Sequence, residues 1–364
     1  MLNSMYSGIS GLGANQKKLD VIGNNVANSG TTSFKSSSVN FQDSMYQSYR
    51  GASGPGLNLG GVNPSRVGMG VSIQSIVTNM KQGSLQPTGR PYDVAIDGTG
   101  YFIVAKGPES GTIEVDQKQN MSSKTLENFF TRDGAFKVDN QGNLVTANGY
   151  RVMGYAISYP GKQGDTTTTP PTPAMPKGES PKFESGKTVA QYVDGESPNL
   201  NANQGELRPL IIPEVVTKPV LNKDTGVLED TEIKVTGFTI ENDGLIKATL
   251  ADSSTTILGQ VAMASFNNNE GLEQTGNNLY TPSANSGNAL VRVGKYDTVA
   301  GLPAGRVDNG KGYGQVMNGF LEMSNVDLSA QFTDMIVATR SFQACGKIIT
   351  TADEILQELV NLKR

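Results

Sequence analysis

The chain is predicted to be an α+β protein: terminal N- and C-terminal helices forming a coiled coil, with nested, mainly antiparallel all-β domains between them. Two observations carry this. At the start, Leu2, Met5, Ile9, Leu12, Gln16, Leu19, Gly23 and Val26 recur at steps of three and four; at the end, Leu328, Gln331, Met335, Ala338, Phe342, Cys345, Ile349, Ala352, Leu356 and Leu359 do the same. That spacing lays an apolar seam along each helix and asks for a partner helix to cover it. Between the ends, short apolar runs alternate with glycine turns, the signature of β-structure.

The first helix should run from Leu2 to Ala27 and stop at Asn28-Ser29-Gly30, where glycine can take the left-handed conformation. Thr31 to Gln47 is polar, with Phe34, Phe41 and Tyr46 interspersed, and residues 51–70 hold seven glycines and two prolines. Residues 30–70 therefore read as an extended connector, with Gly51, Gly54, Gly56, Gly60 and Gly61 supplying its flexibility. From Val71 the period changes. Tyr92, Val94 and Ile96 alternate, and Tyr101 to Val104 reads as a buried strand. Asp133-Gly134, Gln141-Gly142 and Asn148-Gly149 then mark what should be tight hairpin turns.

Residues 160–182 contain six of the 17 prolines, so residues 156–232 are expected to form an inserted, Pro-rich outer module. Strands resume at Leu210-Ile211-Ile212 and continue through Phe238, Ile240, the Asp243-Gly244 turn, Ile246, Ala248, Leu250 and Ile257–Phe266. The last helix should begin behind a cap formed by Ser324 and Asp327, run from Val326 to Leu362, and close on Lys363 and Arg364. If the two helices pair, residues 1–29 and 325–364 make one helical domain. A core β-domain of residues 71–155 is then completed by the returning segment 233–324.

Composition narrows the function. The net charge of −4 opposes a nucleic-acid partner, and no apolar run reaches the length of a membrane span. The first thirty residues lack the apolar block and cleavage site of a secretory signal, so no cleaved signal peptide is expected. There is no histidine and one cysteine, which removes most hydrolase triads, most zinc sites and any intrachain disulfide. No catalytic residue, cofactor or metal is expected. Gly186-Lys187-Thr188 ends like a phosphate loop, but Pro181 occupies the place of the leading glycine. The glycines of 310–314 are wrongly spaced for a dinucleotide loop, and Asp139 to Gly142 lacks the ligand ladder of a calcium loop. Cys345 falls on the seam and reads as a small buried hydrophobe.

Several stretches together resemble the bacterial flagellar rod and hook proteins. They are Met1 to Leu12; Leu19 to Asn28 followed by Thr31-Thr32-Ser33-Phe34-Lys35, with Ser33 where glycine is usual; Ile96 to Phe102; Thr131 to Phe136; and Gly319 to Arg364. The likeness is nearest to the hook members, with the distal rod members as the alternative. The resemblance implies a structural subunit and no enzyme. It implies export by the flagellar type III apparatus and helical polymerisation of many copies into a curved, extracellular tube that joins rod to filament and transmits torque. It also implies neighbours in the form of rod protein, hook cap and hook–filament junction proteins. The seam residues named above would carry self-assembly.

Overall fold

The computed structural model describes residues 2–56, 60–116, 120–123, 125–159, 178–184, 187–195, 200–221, 228–292 and 314–362. The Thr166–Pro171 tract, the 310–313 glycines and the Lys363-Arg364 end lie outside the described residues. The chain divides into two compact units, one of Met1–Lys81 with Ser324–Arg364 and one of Gln82–Met323.

The first unit holds both helices. α1 spans Leu2–Ala27 and α2 spans Leu328–Leu362. α2 starts two residues later than expected because Asp327 alone is its cap: its Oδ1 accepts the amides of Ser329 (2.9 Å) and Ala330 (3.2 Å). Ser324 instead accepts the Val326 amide before the helix starts. After α1 the left-handed residue is Ser33 (φ 56°), not Gly30. This gives the serine-for-glycine departure a physical meaning, since a side chain there carries a strain that glycine avoids.

Residues 30–70 are not an extended linker. β1 (Ser37–Asp43) pairs antiparallel with β4 (Val71–Thr78), and β2 (Tyr46–Arg50) pairs with β3 (Ser65–Gly68). Ser44 N to Gly70 O (2.8 Å) and Met69 N to Met45 O (2.9 Å) join the two pairs into one ribbon. Gly51, Gly54, Gly56, Gly60 and Gly61 are all exposed and sit toward its tip, where Ser53 and Val62 pair. Every residue of β2 and β3 is exposed, so no buried face gave those strands an apolar period to read. The expected boundary at residue 70 therefore moves to Lys81.

In the second unit, β5 (Leu85–Pro87) pairs with the returning strand Phe320–Glu322, and β6 (Val94–Asp97) pairs with Gln315–Asn318. β7 (Tyr101–Lys106) is fully buried except at its last residue. It has Glu127–Thr131 on one side and Arg151–Val152 with Met263–Ala264 on the other. The strand Arg151–Tyr159 links this sheet to Asn201–Pro209 and Thr255–Val261. A meander then runs from Val215–Leu221 through Leu228–Ile240 and Leu245–Leu250 to Thr255–Val261.

The main core packs Phe102, Val104, Phe136, Val152, Leu210, Ile246, Val261 and Val316 together, so segments distant in sequence share one interior. A second cluster joins Ile157, Val193 and Leu200 to Leu245 and Ile257. The described part of 156–232 is thus continuous with the β unit and forms no separate module. Gln141-Gly142 and Asn148-Gly149 do close hairpins, between Lys137–Val138 and Leu144–Val145 and between Val145 and Arg151. Asp133-Gly134 does not. There the chain presses on the Val94 carbonyl, which leaves no room for a Cβ on Gly134, and Val94 N donates to Gly134 O at 3.0 Å.

Ser33→Gly is expected to be neutral or stabilising by up to about 1 kcal/mol, and Ser33→Val to destabilise, in urea titrations. Burial pushes the Tyr101 hydroxyl up to about 12, with nearby Arg132 opposing the shift. The folded value lies above the unfolded one, so this stabilisation is intact below pH 10 and is lost as pH rises toward 12. Tyr101→Phe should remove roughly 2 kcal/mol of the alkaline loss measured by chemical denaturation.

Candidate assembly surface on the terminal helices

α1 and α2 lie side by side in opposite directions. The N-terminal part of α1 meets the C-terminal half of α2: a Cβ on Gly8 would stand 3.2 Å from Ile349, and one on Gly11 would stand 2.9 Å from Cys345 Sγ. At the other end, Lys18 Nζ reaches Asp334 Oδ1 at 3.1 Å and the Asn25 amide donates to Gln331 Oε1 at 3.0 Å. Small residues set the distance between the helices, and polar pairs set their register.

The buried stripe of α1 is Gly8, Gly11, Ala14, Ile22 and Asn25, with Lys18 half-buried between them. This lies one position before the apolar seam read from the sequence. Leu2 opens the helix; Met5, Leu12, Leu19 and Val26 are half-buried, and Ile9 is 54 % exposed. One residue is 100° of helix, so the inward stripe is the small and polar one, and the larger apolar stripe turns aside. On α2 the seam falls differently. Met335, Phe342, Cys345, Ile349 and Leu356 are half-buried, Ala338 and Ala352 are buried, and the end members Leu328 and Leu359 are exposed.

Asn25 was not singled out by the sequence, yet it is fully buried and satisfied on both sides. Its amide also donates to Ser37 O (2.7 Å), and its Oδ1 accepts Ser37 N (3.0 Å). Asn325 does comparable work, donating to Asn79 O (2.7 Å) and Lys81 O (3.0 Å) and accepting from Ser36 N (2.8 Å). Lys35, 1 % exposed, donates to Lys81 O at 2.9 Å. The available signal was the three-and-four spacing of Gly8, Gly11, Ala14, Lys18, Ile22 and Asn25, masked by the stronger apolar stripe beside it.

What the pair leaves uncovered is apolar surface flanking the inner stripe on both sides. Phe332 (50 %), Ile336 (62 %), Ile348, Ile355 and Leu359 on α2 are exposed, as are Tyr6 and Ile9 on α1. Surfaces of this kind mark interaction sites more often than catalytic ones. Among the described residues, no group of three or more His, Cys, Asp or Glu is placed to hold a metal ion, and no helix is long and apolar enough to cross a membrane.

Three family models match the chain: the flagella basal body rod protein model over residues 5–35, the flagellar hook protein FlgE/F/G D1 domain over 95–170, and the flagellar basal body rod FlgEFG protein C-terminal model over 317–362. The flagellar basal-body rod protein FlgG of Bacillus subtilis is 36 % identical over 364 residues, covering all of both chains. The chain belongs to the flagellar hook and rod protein family. The flagellar hook protein FlgE of Borreliella burgdorferi is 30 % identical over 473 aligned positions, again covering all of both chains, and that of Escherichia coli is 28 % identical over 444 positions, covering 98 % of each. On this hook and rod family chain, the two terminal matches take in most of α1, Ser33 and all of α2.

Gly11→Ala is expected to destabilise the chain by about 1–3 kcal/mol through overpacking against Cys345. Cys345→Ala in the same chain should restore most of that, seen as a coupling energy above about 0.5 kcal/mol in a double-mutant cycle.

Proposed function

We propose that this chain is a structural subunit of the flagellar hook, polymerising through its terminal helices into a helical tube. The observation that carries the reading is the apolar surface of α2 that α1 leaves uncovered, with Phe332, Ile336 and Ile355 exposed on the flanks of a helix whose inner side is already occupied. In a tube, copies add head to tail through heterologous contacts, which build open filaments instead of closed rings. The terminal helices act there as a coiled coil, extended from copy to copy by the seam residues that α1 leaves uncovered. The β unit forms the outer shell.

The family's place in the flagellum supports the remaining assignments. The chain is exported by the flagellar type III apparatus, stands outside the cell, and adjoins rod, cap and junction proteins. It transmits torque and catalyses nothing.

A rod subunit is the second reading, and one observation favours it. The Bacillus subtilis rod relative aligns over 364 positions, the length of this chain, whereas the Borreliella burgdorferi hook relative needs 473. Such hook proteins carry residues with no counterpart here. Polymer shape separates the two readings.

Electron microscopy of the purified protein after polymerisation should show curved, compliant tubes; straight, stiff ones would transfer the assignment to the rod. Replacing Phe332, Ile336 and Ile355 by Ser should abolish polymer while leaving the β-unit signal in circular dichroism unchanged. Tubes formed by that triple variant would overturn the assembly surface itself.

A further inference from the structure

We propose that Gln82, Arg132 and Glu322 form a mechanical clamp that holds the β unit closed against force applied through its own chain ends. The proposal goes beyond the polymer reading and does not depend on it. The chain enters this unit at Gln82 and leaves it at Met323. From those two points β5 and the strand Phe320–Glu322 run antiparallel beside each other: Leu85 faces Glu322, Pro87 faces Phe320, and Met323 N donates to Ser84 O at 2.9 Å. A pull on the two passages therefore opens this ladder from its end, one rung at a time. That is the direction in which a strand pair resists least, because the hydrogen bonds are loaded singly.

Buried side chains guard that end. Glu322 is fully buried; its Oε1 accepts the Gly83 amide at 2.8 Å, and its Oε2 lies 3.0 Å from Arg132 Nε. Arg132, only 4 % exposed, donates from Nη2 to Ile96 O (3.3 Å) and Gly98 O (2.6 Å). Gln82 grips the same turn, donating to Asp97 Oδ1 (3.1 Å) and accepting from Gly98 N (2.9 Å). Both the entering and the leaving segment are thus tied to the turn that feeds the central strand β7. The first rung cannot open without breaking several charge-assisted contacts together.

A buried ion pair adds little net stability over an apolar pair of the same size. Its contribution here is directional: it loads many bonds at once along the axis on which the unit is otherwise weakest.

The test uses the full chain in a Cys345→Ala background, with Lys81→Cys and Ser324→Cys as handles for optical tweezers at constant load. Arg132→Met with Glu322→Leu should leave the thermal midpoint near the parent's yet shorten the lifetime under load about tenfold or more, because forced unfolding follows the unfolding rate and not the equilibrium. With handles moved to Asn148 and Ser253, the same double variant should match the parent. Lifetimes unchanged at the first handles, or shortened equally at both pairs, would overturn the clamp. If the double variant does not fold, Glu322→Gln and Gln82→Leu are pulled in its place. Each should shorten the lifetime at the first handles only, and equal lifetimes there reject the proposal.

Discussion

The close approach of α1 and α2 decides the rest of this structure. Gly8 and Gly11 let the first helix come so near Ile349 and Cys345 that a methyl group would crowd the gap, and Asn25 with Gln331 holds the register at the far end. Because these contacts join residues more than 300 positions apart, everything between must leave and return at one place. Nesting is therefore a consequence of pairing the ends. The polar staples of Lys35 and Asn325 on residues 79–81 fix where the chain departs.

That same pairing creates the exposed surface. A helix with small residues inward has its larger apolar residues directed elsewhere, and α2 carries more apolar surface than one partner can cover. The molecule thus presents Phe332, Ile336 and Ile355, each about half exposed, to water at a cost of about 1 kcal/mol apiece. In the proposed polymer, further copies cover that surface. Membership of a family of hook and rod proteins gives the exposure a purpose.

The two units differ in how they store their order. The helical unit relies on register set by a few polar contacts among small residues. The β unit relies on a shared interior in which Leu210, Ile246 and Val316 meet from far apart in the chain, with an ion pair sealed at the point of entry. A change at the small residues of the helix pair therefore acts on how closely the helices approach, and a change in the β core acts on the shared interior.

Sequence alone determined that helices stand at both ends, that β-structure lies between, and which apolar stretches such as Tyr101–Val104 are buried. Heptad spacing and apolar runs are local properties, fixed by the 3.6-residue and two-residue periods. It also determined, through motif likeness, the family. Only the tertiary structure decided which face of α1 turns inward, because two stripes 100° apart both satisfy the helical period and the choice rests on what the partner helix can accommodate. It likewise decided that residues 37–78 form a ribbon, since its outer strands β2 and β3, exposed on both faces, carry no apolar alternation. And it decided that the described part of 156–232 belongs to the common β unit, because Val193 and Leu200 find Leu245 and Ile257 only when the chain has closed on itself.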